Sequence, residues 1–258
     1  MKSLEFSNLP LTNVVVRTVF DRQIDFSFDQ YCRIWADTRE RFDTVEELER
    51  FENPPVGLLS IRPVAVNGIC LHRKSIATSI QSVFVGARWE KAFSPMYPRY
   101  DALRECLWDA LSAVKQATDG EVRISVVNMG YANIISRGGD IDAAARRYLR
   151  KETLPPLADQ NQLNDLNVAW KESDGLECRI VLGQTQLQVP VFDPESNERT
   201  TQPQNAILLT TAGGAFITEG QDPIQVLDAV HSRLQTLFME VTTEEARDEW
   251  GYVHDTTA

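Results

Sequence analysis

The chain is short of the residues from which most catalytic and metal centres are built. Its 258 residues include only four cysteines and three histidines. Cys32, Cys70, Cys106 and Cys178 lie far apart with no CxxC pair, so neither a zinc ribbon nor a disulfide framework is spelled out. Cys70 and His72 share one face of an expected strand, which is half a zinc site. A complete site needs about four close ligands, and no spacing announces the others. No metal or other cofactor is expected, and separated free thiols fit a reducing cytoplasm.

The chain also has no GxSxG, HExxH, GxxxxGK[ST] or GxGxxG. The pairs Gly138-Gly139 and Gly213-Gly214 lack the lysine or spaced glycines of a phosphate cradle and read as turns, although Arg137 stands beside the first. Paired carboxylates such as Glu244/Glu245 fall in the first turn of an expected helix, where they favour its dipole. His254 falls in a fraying tail, so His231 is the histidine with most to offer chemistry. The opening "MKSLEFSNLPLTNVVV" has no uninterrupted apolar core, so a secretory signal is not expected. No run approaches the roughly 20 apolar residues that span a bilayer.

Positive charge is scarce too. With 26 basic against 37 acidic residues the formal net charge is −11, the opposite of the positive surface a general nucleic-acid binder needs to displace phosphate counterions. The densest basic stretch is Arg137, Arg146, Arg147, Arg150 and Lys151, interrupted by Asp140, Asp142 and Glu152. It reads first as a solvated helix face, with local anion or nucleic-acid contact as the alternative.

What is present is an ordinary globular composition, 43% hydrophobic and 24% charged. A chain of this length makes one large domain or two of roughly 100–150 residues, either with a core that needs no staple. "LTNVVVRTVF" reads as a strand. Ser27 with Gln30 is a capping box opening a helix along Phe28, Tyr31, Trp35, Thr38 and Phe42. Asp43 with Glu46 predicts a second helical start over Val45, Leu48 and Phe51, ended by Pro54-Pro55. Strands follow at Val64–Leu71 and Ile76–Val85. A helix then runs along Tyr100, Leu103, Leu107, Leu111 and Val114, before a strand at "EVRISVVN". The order strand-helix-strand-strand-helix-strand is that of a ferredoxin-like unit, over about residues 11–135.

The second half predicts a short helix at "DIDAAARRYLRK" and strands at Leu166–Trp170, Glu177–Leu182 and Leu187–Phe192. It continues with a long polar loop at "DPESNERTTQPQN" and a hairpin across Gly213-Gly214. Two helices close the chain, the first capped by Asp222 with Pro223 at N1, the second opened by Thr242 with Glu245 and stopped at Gly251. The class is therefore α+β. A ferredoxin-like half at residues 1–136 is followed by a mostly antiparallel half at 137–258 closed by helices, and the two could form one continuous domain.

On the penultimate helix, Ile224, Leu227, His231, Leu234, Phe238 and Val241 form one stripe. Asp228, at i−3 from His231, is close enough to hydrogen-bond the imidazole. The plain reading is a packed histidine whose tautomer Asp228 fixes; the sharper one is a ligand or acid–base site.

"DAVHSRLQTLFMEVTTEEARDEWG" resembles the end of a sporadically distributed family of bacterial proteins of about this length with no established activity. In that family an acidic residue precedes a helical histidine, a phenylalanine follows, and a Thr-led turn opens a final short helix. "NLPLTNVVVRTVF" is similar to the family's opening, "GYANII" to its Tyr-x-Asn strand through Tyr131 and Asn133, and "YPRYDALRE" to the aromatic lead into its central helix. Met129-Gly130 stands where the family would place an arginine before that tyrosine. The resemblance implies a fold and a setting, cargo of mobile or defence-type gene clusters, rather than a chemistry.

The first expectation is a non-enzymatic cytoplasmic interaction protein, an accessory or neutralising partner in a defence or toxin-type system, with self-association left open. The alternatives are a sensor or enzyme with a pocket between the halves using Tyr131, Asn133, Asp228 and His231, and local nucleic-acid contact through the basic stretch.

Overall fold

A computed structural model describes residues 10–48, 68–137, 140–153, 165–193 and 198–252. The chain is α+β, and no described helix is long and apolar enough to cross a membrane. It divides into two compact units, one of Asn13–Met129 with Gly214–Ala229, the other of Met1–Thr12, Gly130–Gly213 and Val230–Ala258.

The Asn13–Met129 unit contains most of β1 (Leu11–Phe20), α1 (Phe28–Thr38), β2 (Thr44–Leu48), β3 (Gly68–Arg73), β4 (Ile76–Gln81), β5 (Phe84–Glu90), α2 (Tyr100–Ala117) and the start of β6 (Ile124–Arg137). The strands lie in the order β2-β3-β4-β5-β1-β6, and the pairs β2–β3, β3–β4, β4–β5 and β5–β1 are antiparallel. The alternation of β1 sets its buried face: Val14, Val16 and Thr18 lie opposite Trp89, Ala87 and Val85, and all six are buried. Against that face α2 buries the expected Tyr100, Leu103, Leu107, Leu111 and Val114, with Cys106 and Ala110 between them.

The Ser27 capping box forms as expected, with Gln30 N donating to Ser27 Oγ at 3.2 Å and Ser27 N to Gln30 Oε1 at 2.9 Å. The helical start at Asp43 does not form. Asp43 accepts from Lys74 N at 2.7 Å, capping the β3–β4 turn, and Thr44–Leu48 pairs with β3 as a strand. A five-residue ladder satisfies the backbone there, which overrides a cap-like local pattern. The expected run Ile76–Val85 is likewise two strands, β4 and β5, joined by a tight turn. The segment expected to end at Pro54-Pro55, and the start of the strand at Val64, lie outside the described residues.

The other unit holds the rest of β6, α3 (Ile141–Tyr148), a short 3-10 turn (Lys151–Thr153), β7 (Leu166–Lys171), β8 (Glu177–Asp193), most of β9 (Glu198–Phe216), the end of α4 (Pro223–Val241) and α5 (Glu244–Glu249). Its strands run in the order β6-β9-β8-β7. The two strands expected in 177–192 are the single β8, and most of the expected polar loop is strand, since β9 begins at Glu198.

The hairpin expected at Gly213-Gly214 is replaced by unbroken strand. These glycines serve close approach rather than a turn. A Cβ at Gly213 would stand 3.2 Å from Glu177 O and from Leu234 Cδ2, and one at Gly214 only 2.9 Å from Val127 O.

The last helix starts one residue later than expected: Thr243 Oγ1, not Thr242, accepts from Ala246 N at 3.2 Å. Thr242 instead donates to Phe238 O. Buried Arg247 donates through Nη1 to Met239 O and Thr242 O, both at 2.8 Å, and so satisfies carbonyls at the end of α4. Trp250 stacks on Tyr148 at 5.7 Å between ring centroids, closing this corner.

Candidate functional site

Helix α4 starts where the sequence places it. Asp222 Oδ1 accepts from Ile224 N at 3.0 Å, and Pro223 occupies the first helical position. Its buried residues are Ile224, Leu227, Val230, Leu234, Leu237, Phe238 and Val241. His231 is half-buried, so it borders this stripe rather than belonging to it.

In the unit that contains His231, the imidazole meets β6. Tyr131 OH and His231 Nδ1 are 2.7 Å apart, with ring centroids at 6.2 Å. Tyr131 is half-buried as well. Asn133, two residues along the same face of β6, is buried and donates from Nδ2 to Leu209 O at 3.4 Å. Tyr131 and His231 are thus brought together, while Asn133 is committed to the neighbouring backbone. With the ring proton on Nε2 the phenol donates to Nδ1; protonation of the ring reverses the direction. A phenol–imidazole pair of this kind can relay a proton or present a polar edge to a small ligand.

Asp228 has different partners in the other unit. Its Oδ1 accepts from Tyr100 OH at 2.7 Å, and Arg104 lies against it with Nη2 to Oδ2 at 3.1 Å and Nε 2.8 Å from Oδ1. The expected Asp228–His231 pairing therefore gives way to two separate ones. Burial, and then the bond to Asp228, pushes the Tyr100 phenol far above its ordinary value, so it remains a neutral donor. Tyr100 and Arg104 were missed as site residues, although their i,i+4 spacing in "YPRYDALRE" places them on one helix face. Only the tertiary arrangement aims that face at Asp228.

The basic stretch is largely tied into its own unit. Arg146 pairs with Asp142 at 2.8 Å, Arg147 with Glu249 at 2.9 Å, and Arg150 Nε donates to Thr242 O at 3.1 Å. Lys151 is exposed, and of Arg137 only the strand backbone is described.

The thiols are not activated. Burial pushes Cys70 up and raises Cys106 and Cys178 to about 11, so none of the three is a ready thiolate at neutral pH. His72 Nε2 lies 3.4 Å from Glu46 Oε2. Among the described residues no group of His, Cys, Asp and Glu is arranged to hold a metal.

A second polar junction was also missed. Glu172 Oε1 accepts from Arg233 Nε at 2.7 Å and from Trp170 Nε1 at 3.3 Å, while Arg233 Nη1 donates to Glu240 at 2.9 Å. Glu172 and Arg233 are 61 residues apart, and no local pattern connects them.

No family model matches the chain, and no curated protein matches it.

Proposed function

We propose that this chain is a non-enzymatic interaction protein, of the accessory or neutralising kind that the bacterial resemblance implies. The observation that carries this reading is the segment between β5 and α2. Phe93 and Met96 are 77% and 78% exposed there. The segment is fixed at both ends, by the Trp89–Tyr97 ring contact at 5.2 Å and by buried Tyr100 at the start of α2. Large apolar side chains held out on an anchored loop are the form a protein-binding hot spot takes, because their burial supplies affinity with little ordering of the chain.

The acidic balance suits a basic partner, whose approach complementary charge accelerates. The Asn13–Met129 part is, in this proposal, a ferredoxin-like β-α-β-β-α-β unit made of β1, α1, β4, β5, α2 and β6. Its support is the strand order β4-β5-β1-β6, with the β2–β3 pair as an addition at the edge.

The test is photo-crosslinking in the native host from position 93, with position 39 on the far end of α1 as control. One protein captured from 93 and absent at 39, and lost from the Met96→Ser variant, is the expected result. Equal capture from both positions overturns it.

A small-ligand sensor or enzyme is the second reading, and the Tyr131–His231 pair favours it. On that reading Tyr131→Phe abolishes function while the melting temperature moves by only about 2 °C, which is roughly the shift expected for a loss of less than 1 kcal/mol in a chain of this size. Contact with nucleic acid has the weakest support, given the intramolecular partners of Arg146, Arg147 and Arg150.

A further inference from the structure

Each unit ends its strand order in an edge strand, and the two edges are chemically unlike. In the Asn13–Met129 unit the edge is β2, "TVEEL", which places Glu46 and Glu47 side by side. Adjacent carboxylates on an edge repel an identical strand. In the other unit the edge is β7, "LNVAWK", whose single charge is its last residue. Among the described strands β7 pairs only with β8, in the register Leu166↔Leu182 through Lys171↔Glu177.

Among the described strands, none pairs with β7 on the side away from β8. Asn167, Val168 and Ala169 are consecutive, point alternately to both faces, and are all exposed, Val168 at 42%. An edge strand with an exposed valine at its centre is a template for another strand.

The sequence of β7 fits its own copy. In antiparallel pairing centred on Val168, Val168 meets Val168, Leu166 meets Trp170, Asn167 meets Ala169, and Asp165 meets Lys171. Asp165 and Lys171 are both exposed, and their opposite charges then pair twice across the two-fold axis. Sliding the register by one residue sets Asp165 against Glu172 and turns that attraction into repulsion, and like charges directly opposite one another destabilise a pair of strands. Leu166, Val168 and Trp170 also share one face, so the centred register gathers the large apolar side chains of both strands on the same side.

We propose that β7 is the docking edge for a second copy of this chain, joined antiparallel about Val168. The complex is a two-fold dimer that closes on itself, because each protomer offers one such edge and uses it.

Sedimentation velocity of the full chain over a hundredfold concentration range reads the state directly. The expected result is a species of twice the chain mass that is lost in Val168→Lys and in Lys171→Glu but kept in Val45→Lys on β2. The paired exchange Asp165→Lys with Lys171→Asp restores it, which separates a lost contact from a lost fold. Val168→Cys is expected to form a disulfide with its own copy under mild oxidation, because the centred register brings those two Cα atoms to about 4.5–5.5 Å. A wild-type chain that stays at single mass throughout overturns the proposal. So does a dimer indifferent to both β7 substitutions, or one abolished by Val45→Lys alone.

Discussion

Asp228 and His231 sit three residues apart on one helix, yet their surroundings differ in kind. Asp228 is gripped by two donors from a single helix, Tyr100 and Arg104, one turn apart on α2. His231 meets one phenol from a strand, Tyr131 on β6. The reason is angular. At 3.6 residues per turn, positions i and i+3 are separated by about 60° around the axis, enough for the two side chains to look toward different elements. Proximity along a helix is therefore a weak argument for a dyad. The carboxylate ties α4 to α2, and the imidazole ties α4 to β6.

The largest effect expected from breaking this contrast is at Asp228. Asp228→Ala removes the acceptor that the buried Tyr100 hydroxyl uses and an ion-pair partner of Arg104, and should lower stability by about 2–3 kcal/mol. Urea unfolding at constant m-value would measure it, and a loss below about 0.5 kcal/mol would show that Tyr100 does not depend on the carboxylate. His231→Ala should come next, at about 1–2 kcal/mol, from lost packing and the lost hydrogen bond with Tyr131. A double-mutant cycle of Tyr131→Phe with His231→Ala should return a coupling near 1 kcal/mol, and additivity would remove the pair as a unit.

A smaller gain is expected just before the Tyr100 anchor. Arg99 has φ 76° and ψ 160°, a region nearly exclusive to glycine, so Tyr100 is positioned at the cost of backbone strain. Arg99→Gly should raise stability by about 0.5–1 kcal/mol, visible as a higher melting temperature; an unchanged or lower one would mean that the contacts of the arginine outweigh the strain.

The last effect appears only in alkali. The Tyr100 phenol is raised above its ordinary value of 10.0, so its contribution is fully present below about pH 10. Above that, the unfolded chain loses this proton first, and stability falls as pH rises. The wild type should lose stability between pH 9.5 and about 11 more steeply than Tyr100→Phe, in which that proton is absent; parallel profiles would contradict it. Other raised groups, among them Tyr31, Tyr148, Cys70, Cys106 and Cys178, remain in both proteins and cancel in the difference.

Local chemistry was legible where the signal is local. The capping box at Ser27–Gln30, the N-cap at Asp222 with Pro223, the alternation of β1 and the stripe of α2 each use residues within one or two turns, and each is found in place. Where a local pattern had to compete with pairing, it was overridden. Asp43–Glu46 imitates a helix cap but lies beside β3, and Gly213-Gly214 imitates a hairpin but lies where neighbouring backbone and side chains leave no room for a Cβ.

Among the four residues selected around α4, the partner the sequence assigned to Asp228 is not the one it meets. Tyr131 and His231, 100 residues apart, belong together, and Asp228 belongs with Tyr100, 128 residues away. No periodicity encodes such separations. By itself the sequence determined the α+β class, the acidic balance, the caps at Ser27 and Asp222, and the apolar faces of β1 and α2, because these follow from side-chain chemistry read over a few residues. The tertiary structure alone decided which polar group meets which, whether a glycine pair bends or packs, and which strands end the sheet order. Those outcomes depend on elements brought together from distant parts of the chain.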